Sequence, residues 1–496
     1  MKILVAIASY GTRNDRYLAR LLQEYRGMPF AVDIIVFSNI SKEVPPGVKV
    51  LVGLPSKDPW SLPFAHQPVF EEKIKEHDIF IYSEDDMLLS ERNIRSFLKV
   101  QEALPDNEIA GFLRYEIGQG GSRNYPEMHA DFHWDPDSVR QRGEFTLAHF
   151  TNEHSACYVA GRKQLERAIE SGGFVVNPHR ERYDLLCTAA TDIYTQCGMR
   201  KLVCVSHVDD FLVHHLPNKY VGTRFGIGES AFRAQIDALI KLQDGTQPPV
   251  SLLPPLAQDD PYPKHYFEQE DVEISGLIPP GARSLLSVGC GWGATEAALA
   301  KSGLQVAAIP LDPVIGACAQ AMGLECTPPG CDAALQQLKG RKFDALLISN
   351  LLHLVEDPAG LISVFLSLLS ENGSVIVRIP NVARRSPVLS KMQGEKRDGA
   401  IGNSATANAF RSSKGALLSW CEAAGLRARS IAGIYRGRSK RWQRITFGLV
   451  DRWLASDIVA VFIAGPSVRL HSRKTSSPVA DAHASSLPAQ QVLPRV

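Results

Sequence analysis

Three consecutive carboxylates, Glu84-Asp85-Asp86, follow the apolar run Ile79-Phe80-Ile81-Tyr82-Ser83. Such a run reads as a buried strand, and ligands gather at the carboxyl ends of strands in open α/β sheets. Adjacent carboxylates repel one another unless a cation or solvent relieves them. Hard oxygen donors of this kind suit Mg²⁺ or Mn²⁺, which also bridge to phosphate oxygens. The alternative is an acidic loop facing water. Farther on, Asp209-Asp210-Phe211-Leu212-Val213-His214-His215 carries two imidazoles past a second strand-like run. Alternation along a strand points them to opposite faces, so one at most joins the carboxylates; a hydrogen-bonded structural role is the other reading.

A second constellation is Ser287-Val288-Gly289-Cys290-Gly291-Trp292-Gly293, which follows a strand and opens a helix at Ala294. Glycines let the backbone approach a ligand and adopt dihedrals closed to other residues; a structural tight turn is the alternative. The spacing differs from the Gly-x-Gly-x-x-Gly dinucleotide fingerprint, which disfavours NAD.

Over residues 1–235 the sequence resembles a GT-A glycosyltransferase. Glu84-Asp85-Asp86 resembles the Glu-Asp-Asp variant of that family's Asp-x-Asp signature in N-acetylglucosaminyltransferase-type enzymes, and Ala8-Ser9-Tyr10-Gly11-Thr12-Arg13 resembles the strand-turn bordering the nucleotide. The resemblance implies a nucleotide-sugar site at Ser9, Tyr10, Glu84 and Asp85. It implies a divalent metal (Mn or Mg) on Asp86, Asp85 and either His214 or His215, a general base at Asp192 with Glu181 and Asp184 as rivals, and an acceptor groove at Asn152-Glu153-His154 and Trp134; a helix N-cap for Asp192 and plain packing for the tryptophan are the other readings. One departure is Phe37-Ser38-Asn39, where many relatives carry an acid for the base of the donor.

Residues 266–465 resemble a class I S-adenosylmethionine-dependent methyltransferase. The glycine turn stands as its first motif, Phe343–His353 as its fourth, Gly373–Asn381 as the next strand, and Phe410-Arg411-Ser412 before Leu417–Ala424 as a late substrate-side helix. The resemblance implies S-adenosylmethionine bound at Gly289, Cys290, Gly291, Gly293, Asp312, Asp332 and Asn350. Two of the family's usual acids are missing: Ser287 stands at one position and Pro310 at the other, leaving Asp312 or Glu296 to substitute. His353 is either a base or a packing residue.

These sites need elements to hold them. Strand patterns at Ile3–Ala8, Ile34–Phe37, Val48–Val52 and Asp78–Tyr82 alternate with helical ones at Tyr17–Tyr25 and Glu71–Glu76, which predicts a mainly parallel sheet covered by helices. Ser284–Val288, Gln305–Ile309, Phe343–Ser349 and Ser374–Ile379 predict a second, doubly wound sheet. Between the two, residues 244–264 hold six prolines, which block helix and central strand alike. The fold class expected is α/β: a GT-A-like domain over 1–243, a linker over 244–264, a Rossmann-like methyltransferase domain over 265–468 and a disordered tail over 469–496.

The chain of 496 residues suits two or three domains, and its net charge of +1 argues against nucleic acid as a partner. Residues 401–496 are the exception, with 14 basic and 4 acidic side chains. Their cluster Arg436–Arg444 predicts either a solvated face or peripheral contact with an anionic membrane. Nine cysteines without a Cys-x-x-Cys pair point to free thiols in a reducing cytoplasm. The start reads as a strand rather than a signal peptide, and no apolar stretch is long enough to span a membrane. The expectation is a cytoplasmic bifunctional enzyme, at the inner membrane face if the basic cluster binds lipid. It would pass a sugar from a nucleotide-sugar to a glycan or glycolipid, and a methyl group to a sugar hydroxyl. The alternative makes the second domain a non-catalytic scaffold.

Overall fold

The computed structural model describes residues 1–253, 262–382, 412–435 and 455–465. The middle of the linker, Phe410-Arg411, the basic segment with its aromatic neighbours at 436–454, and the tail at 469–496 lie outside the described residues.

The chain opens with β1 (Lys2–Ala8), α1 (Asp15–Gly27), β2 (Ala31–Ser38), β3 (Lys49–Val52), α2 (His66–Glu72) and β4 (Ile79–Glu84). β1 is buried from Ile3 to Ala8 and pairs in parallel with both β2 and β4, as continuous apolar runs covered on both faces do. Leu18, Leu21, Leu22 and Tyr25 recur at helical spacing and turn one face of α1 into the core. Then come β5 (Met87–Leu88), α3 (Glu91–Gln101), β6 (Glu108–Ala110), β7 (Leu113–Ile117), β8 (Arg123–Tyr125), β9 (Trp134–Arg142), β10 (Phe145–Phe150) and β11 (Cys157–Gly161). β11 returns antiparallel along β4, giving the sheet order β11-β4-β1-β2-β3.

After α4 (Arg162–Glu170) and α5 (Leu185–Thr195) follow β12 (Arg200–Cys204), β13 (Leu212–His215), β14 (Ile227–Gly228) and α6 (Glu229–Gln243). They complete two further sheets, β6-β12-β10-β9 and β14-β8-β7-β13-β5. Trp134 lies in the core at 1% exposure, packed on Phe150, which removes it from any acceptor groove.

The second half runs α7 (Val272–Ser275), β15 (Ser284–Cys290), α8 (Ala294–Lys301), β16 (Gln305–Pro310), α9 (Pro313–Ala321), β17 (Glu325–Cys326), α10 (Cys331–Gln337), β18 (Phe343–Ser349), α11 (Pro358–Leu366) and β19 (Leu369–Pro380). The helix Lys414–Ala423, β20 (Leu426–Ile434) and β21 (Asp457–Ala464) close it. The sheet order β17-β16-β15-β18-β19-β21-β20 is 3-2-1-4-5-7-6 in this half's own count, with β21 antiparallel to both neighbours. It is a doubly wound, Rossmann-like sheet whose direction of winding reverses between β15 and β18, where ligands bind in such folds.

The halves meet closely. α6 packs along α9, where Gln235 reaches the Cys318 thiol, and one apolar core runs through both. The segment 262–271 forms a strap across the seam. Phe267 N–H donates to Ala130 O at 3.0 Å, and the Tyr266 ring stacks on His133 at 3.9 Å and 7°. No helix among the described residues is long and apolar enough to cross a membrane.

Candidate functional site

β4 delivers its carboxylates to the tip of β1, where Asp85 N–H donates to Ala8 O at 3.1 Å. Asn14, just before α1, donates through Nδ2 to Asp85 Oδ1 at 2.7 Å and to Asp86 Oδ2 at 3.2 Å. β13 pairs antiparallel with β5 and sets His215 opposite Met87. Its Nε2 stands 3.6 Å from Asp86 Oδ2, and its Nδ1 stands 2.6 Å from Glu116 Oε1. Glu116 Oε2 in turn accepts from Tyr220 N–H at 2.9 Å. The sequence reading missed Glu116; only the β7–β13 pairing brings it here.

Alternation turns His214 the other way, onto the Tyr115 ring at 5.0 Å and Asn218 Oδ1 at 3.0 Å, so it is removed from the proposed metal set. Ser9 is buried beside Asp85, whereas Tyr10 is 53% exposed. Glu84 Oε1 and Asp86 Oδ1 are buried without a hydrogen-bond partner. Burial, then Asp86, pushes the Glu84 carboxyl up to about 8. Burial pushes Asp85 up to about 6 against the hydrogen bonds of Ser9 and Asn14. Burial lowers His215, but Asp86 and Glu116 outweigh it and the imidazole ends above its ordinary value.

A divalent cation does not fit here as a protein-built cage. Among the described residues no group of three or more His, Cys, Asp and Glu side chains is arranged to hold one. Asn14 bridges Asp85 and Asp86, and the His215 imidazole is shared between Asp86 and Glu116.

Asp192 lies inside α5, not at its start. The N-cap is Asp184, whose Oδ1 accepts from Cys187 N–H at 2.9 Å. Asp192 is fully buried, takes Gln67 Nε2 at 3.1 Å and faces His179 Nε2 at 3.4 Å. Burial holds its carboxyl up at about 6 against the pull of His179 and Gln67. An acceptor hydroxyl cannot touch it in this arrangement.

In the second half the glycine turn is bare backbone. Gly289 and Gly293 have φ of +77° and +89°, the left-handed region that favours glycine. At Gly291 a Cβ would lie 2.3 Å from Tyr266 O, because the strap crosses directly above. Tyr266 O accepts from Trp292 N–H at 2.8 Å, and Glu268 O accepts from Trp292 Nε1. Lys264 Nζ ties the strap to Ser349 O at 2.9 Å, and Asn350 Nδ2 donates to Glu268 Oε1 at 3.2 Å. Asn350 itself has φ of +50° and leaves Oδ1 buried without a partner. Cys290 is buried, its thiol donating to Gly291 O.

Ser287, where the family usually has an acid, donates to Glu296 Oε1 at 2.6 Å, so α8 supplies the carboxylate that β15 lacks. Asp312 caps α9, its Oδ1 accepting from Val314 N–H at 2.8 Å and Ile315 N–H at 2.9 Å, with the Tyr266 phenol beside it. Burial pushes its carboxyl up to about 6. Asp332 is exposed on the first turn of α10. His353 is buried with Nε2 at 2.8 Å from Tyr262 O, and burial holds its imidazole down at about 4, which favours the packing role. The glycines pack against Leu351, Tyr266 O and Leu324, and the orphaned Asn350 oxygen is what fits a hydrogen-bonding group of a cofactor lying across β15 and β18.

Comparison with known proteins places this geometry. Residues 286–377, spanning β15 to β19, match the methyltransferase domain family. The ubiquinone biosynthesis O-methyltransferase of Xylella fastidiosa (strain 9a5c) is 32% identical over 114 residues, 22% of this chain and 46% of that protein. The chain thus spans about half the length of this curated relative. Among solved structures, an S-adenosylmethionine-dependent methyltransferase from Mesorhizobium loti aligns with TM-score 0.28 and 18% identity, over 38% of this chain and 95% of that one. The magnesium protoporphyrin IX methyltransferase of Synechocystis PCC 6803, solved with S-adenosylhomocysteine bound, aligns with TM-score 0.26 and 14% identity, over 39% and 78%. The family match lies on the doubly wound sheet and its glycine turn, so over residues 286–377 this chain is similar to the methyltransferase domain family.

Proposed function

We propose that the C-terminal domain transfers a methyl group from S-adenosylmethionine to an oxygen acceptor. The observation that carries this is the orphaned Asn350 Oδ1 beside the left-handed glycine turn, inside the segment matched to the methyltransferase family. When bound, S-adenosylmethionine would supply an electrophilic methyl on its sulfonium for an acceptor oxygen. The chain's part is positional. Gly289, Gly291 and Gly293 let the turn close against Leu351, Tyr266 O and Leu324, Asn350 Oδ1 would accept a hydrogen bond, and Asp312 or the exposed Asp332 would address the nucleoside. A hydroxyl acceptor accords with the curated relative's name as an O-methyltransferase. Calorimetry with S-adenosylhomocysteine on the full chain tests the reading. Absence of binding at millimolar ligand leaves the domain as a scaffold.

A second reading covers the N-terminal half, which we take as a nucleotide-sugar transferase divided from the methyltransferase at the proline-rich stretch. It is favoured by Glu84, Asp85, Asp86 and His215 converging at one strand end, with Glu116 fixing the imidazole. These carboxylates, with the His215 imidazole shared between Asp86 and Glu116, would accept hydrogen bonds from the donor's hydroxyls. An apolar cleft of about 570 Å³ beside β2 and β3, lined by Phe37, Val52, Phe64 and Val176, offers a surface for the donor base. The test is sugar-nucleotide hydrolysis over a donor panel, with and without Mn²⁺ or Mg²⁺, on wild type and Asp86→Ala. Equal hydrolysis by both proteins removes the site. Full rate in excess chelator removes any metal.

A further inference from the structure

A separate cavity of about 280 Å³ opens next to the strap, walled almost entirely by polar side chains from distinct elements. Asp131 precedes β9 and Asp135 lies on it; His149 and Thr151 come from β10 and its end; Arg182 precedes α5, and Arg200 starts β12. Its charges are balanced in place. Arg200 Nη2 stands 3.0 Å from Asp135 Oδ2, and Arg182 Nη2 stands 3.7 Å from Asp131 Oδ2.

Two carboxylates against two guanidiniums leave no surplus charge for a phosphate. Yet a carboxylate has about four lone-pair sites and a guanidinium five N–H donors, so each pair retains hydrogen-bonding capacity. His149 Nδ1 donates to Lys201 O at 3.0 Å and burial holds the imidazole down at about 4, so at neutral pH its Nε2 is an uncharged acceptor. Its Nε2 is 3.8 Å from Glu153 Oε1, too far for a hydrogen bond, and Glu153 Oε2 is buried without a partner. The His133 ring, stacked on Tyr266, supplies the flat wall on the seam side.

Neutral overall, rich in paired donors and acceptors, and at the small end of ligand cavities, the site matches one polyhydroxylated ring. We propose that this cavity binds a neutral monosaccharide unit, as the seat of a glycan acceptor in the N-terminal half beside the strap. The acceptor role rests on the glycosyl-transfer reading; the binding does not. A hydroxyl of such a ring would bridge a carboxylate oxygen and a guanidinium N–H, which neither water-exposed pair does alone.

The experiment is saturation-transfer NMR on the full chain with methyl glycosides of glucose, galactose, rhamnose and N-acetylglucosamine, and with inorganic phosphate in a separate titration. Wild type is compared with Asp135→Asn and Arg182→Gln, whose thermal midpoints report folding. The expected result is saturable binding of at least one glycoside, weakened about tenfold in Asp135→Asn, as loss of one charge-assisted hydrogen bond gives. Phosphate should show no saturable effect. Three results each overturn the proposal: no glycoside bound by folded wild type, equal binding by folded Asp135→Asn and Arg182→Gln, or saturable phosphate in place of sugar. Glycoside binding without any sugar-nucleotide hydrolysis overturns the transferase reading and leaves the cavity assignment standing.

Discussion

His133→Ala tests whether the N-terminal half holds the cofactor turn of the other half in place. In the native chain the His133 and Tyr266 rings lie 3.9 Å apart at 7°, with 4% and 3% exposure, and Tyr266 O takes the Trp292 N–H of the glycine turn at 2.8 Å. A stacked aromatic pair contributes about 0.5–1.5 kcal/mol beyond its buried area. If that energy orders the strap, its loss should weaken S-adenosylhomocysteine binding about two- to tenfold. Truncating a buried ring also costs about 2–4 kcal/mol of folding stability, so affinity must be read well below the melting midpoint. His133→Phe is the control: it restores a flat ring and gives up the Nδ1 contact with Asp131 O at 2.8 Å. Calorimetry on the full chain reads affinity, and hydrogen exchange reads the Trp292 amide, which should exchange faster in His133→Ala and recover in His133→Phe. Wild-type affinity and wild-type Trp292 protection in a folded His133→Ala protein would refute the reasoning.

Gly291→Ala should displace the strap, since its Cβ would lie 2.3 Å from a backbone carbonyl that cannot swing aside; a lowered melting temperature together with lost S-adenosylhomocysteine binding is expected, and an unchanged melt would contradict it. Asp312→Ala removes the α9 cap at a cost of about 1–2 kcal/mol in denaturant unfolding, with a loss of cofactor affinity only if the carboxylate also meets the nucleoside. Glu84 gives a pH test. Its folded carboxyl titrates near 8 against an ordinary 4.5, so the native state holds the extra proton and stability falls as pH rises through that window. The limiting slope is about 1.4 kcal/mol per pH unit, and Glu84→Gln should flatten it; an identical pH profile in the variant counts against the buried acid.

The strands that bear both sites were legible because each is a continuous apolar run ended by a chemical signature. Ile79–Tyr82 before the carboxylates and Ser284–Val288 before the glycines stand within β4 and β15 as expected. Residues 108–150 were not legible. β6, β7 and β8 are three to five residues long, and β9 alternates Arg, Asp and Gln with small buried positions, too weak a pattern to separate from loop. Glu116 was lost with them, since its role exists only through pairing with a strand about 100 residues later. Asp192 misled because a carboxylate after Ala-Ala-Thr looks like a helix start, while Asp184, eight residues earlier, takes the cap. The missing acid of the glycine turn was recoverable in part: Glu296 was weighed, but only the fold shows it bonded to Ser287.

The packing of α6 on α9 also sets an order of events at the ribosome. α6 is complete at Gln243, but the helix that covers it starts at Pro313, some 70 residues later. At about 5–20 residues per second, the side of α6 where Gln235 meets Cys318 waits several seconds of translation, plus passage through the exit tunnel, before its cover arrives. Through that interval the nascent N-terminal half presents one uncovered side of its last helix, the kind of surface holdase chaperones grip. A message cut short near codon 250 would release that intermediate with no cover to come. The fusion order of the two halves is therefore also a folding schedule, with the second half acting as chaperone in cis to the last helix of the first.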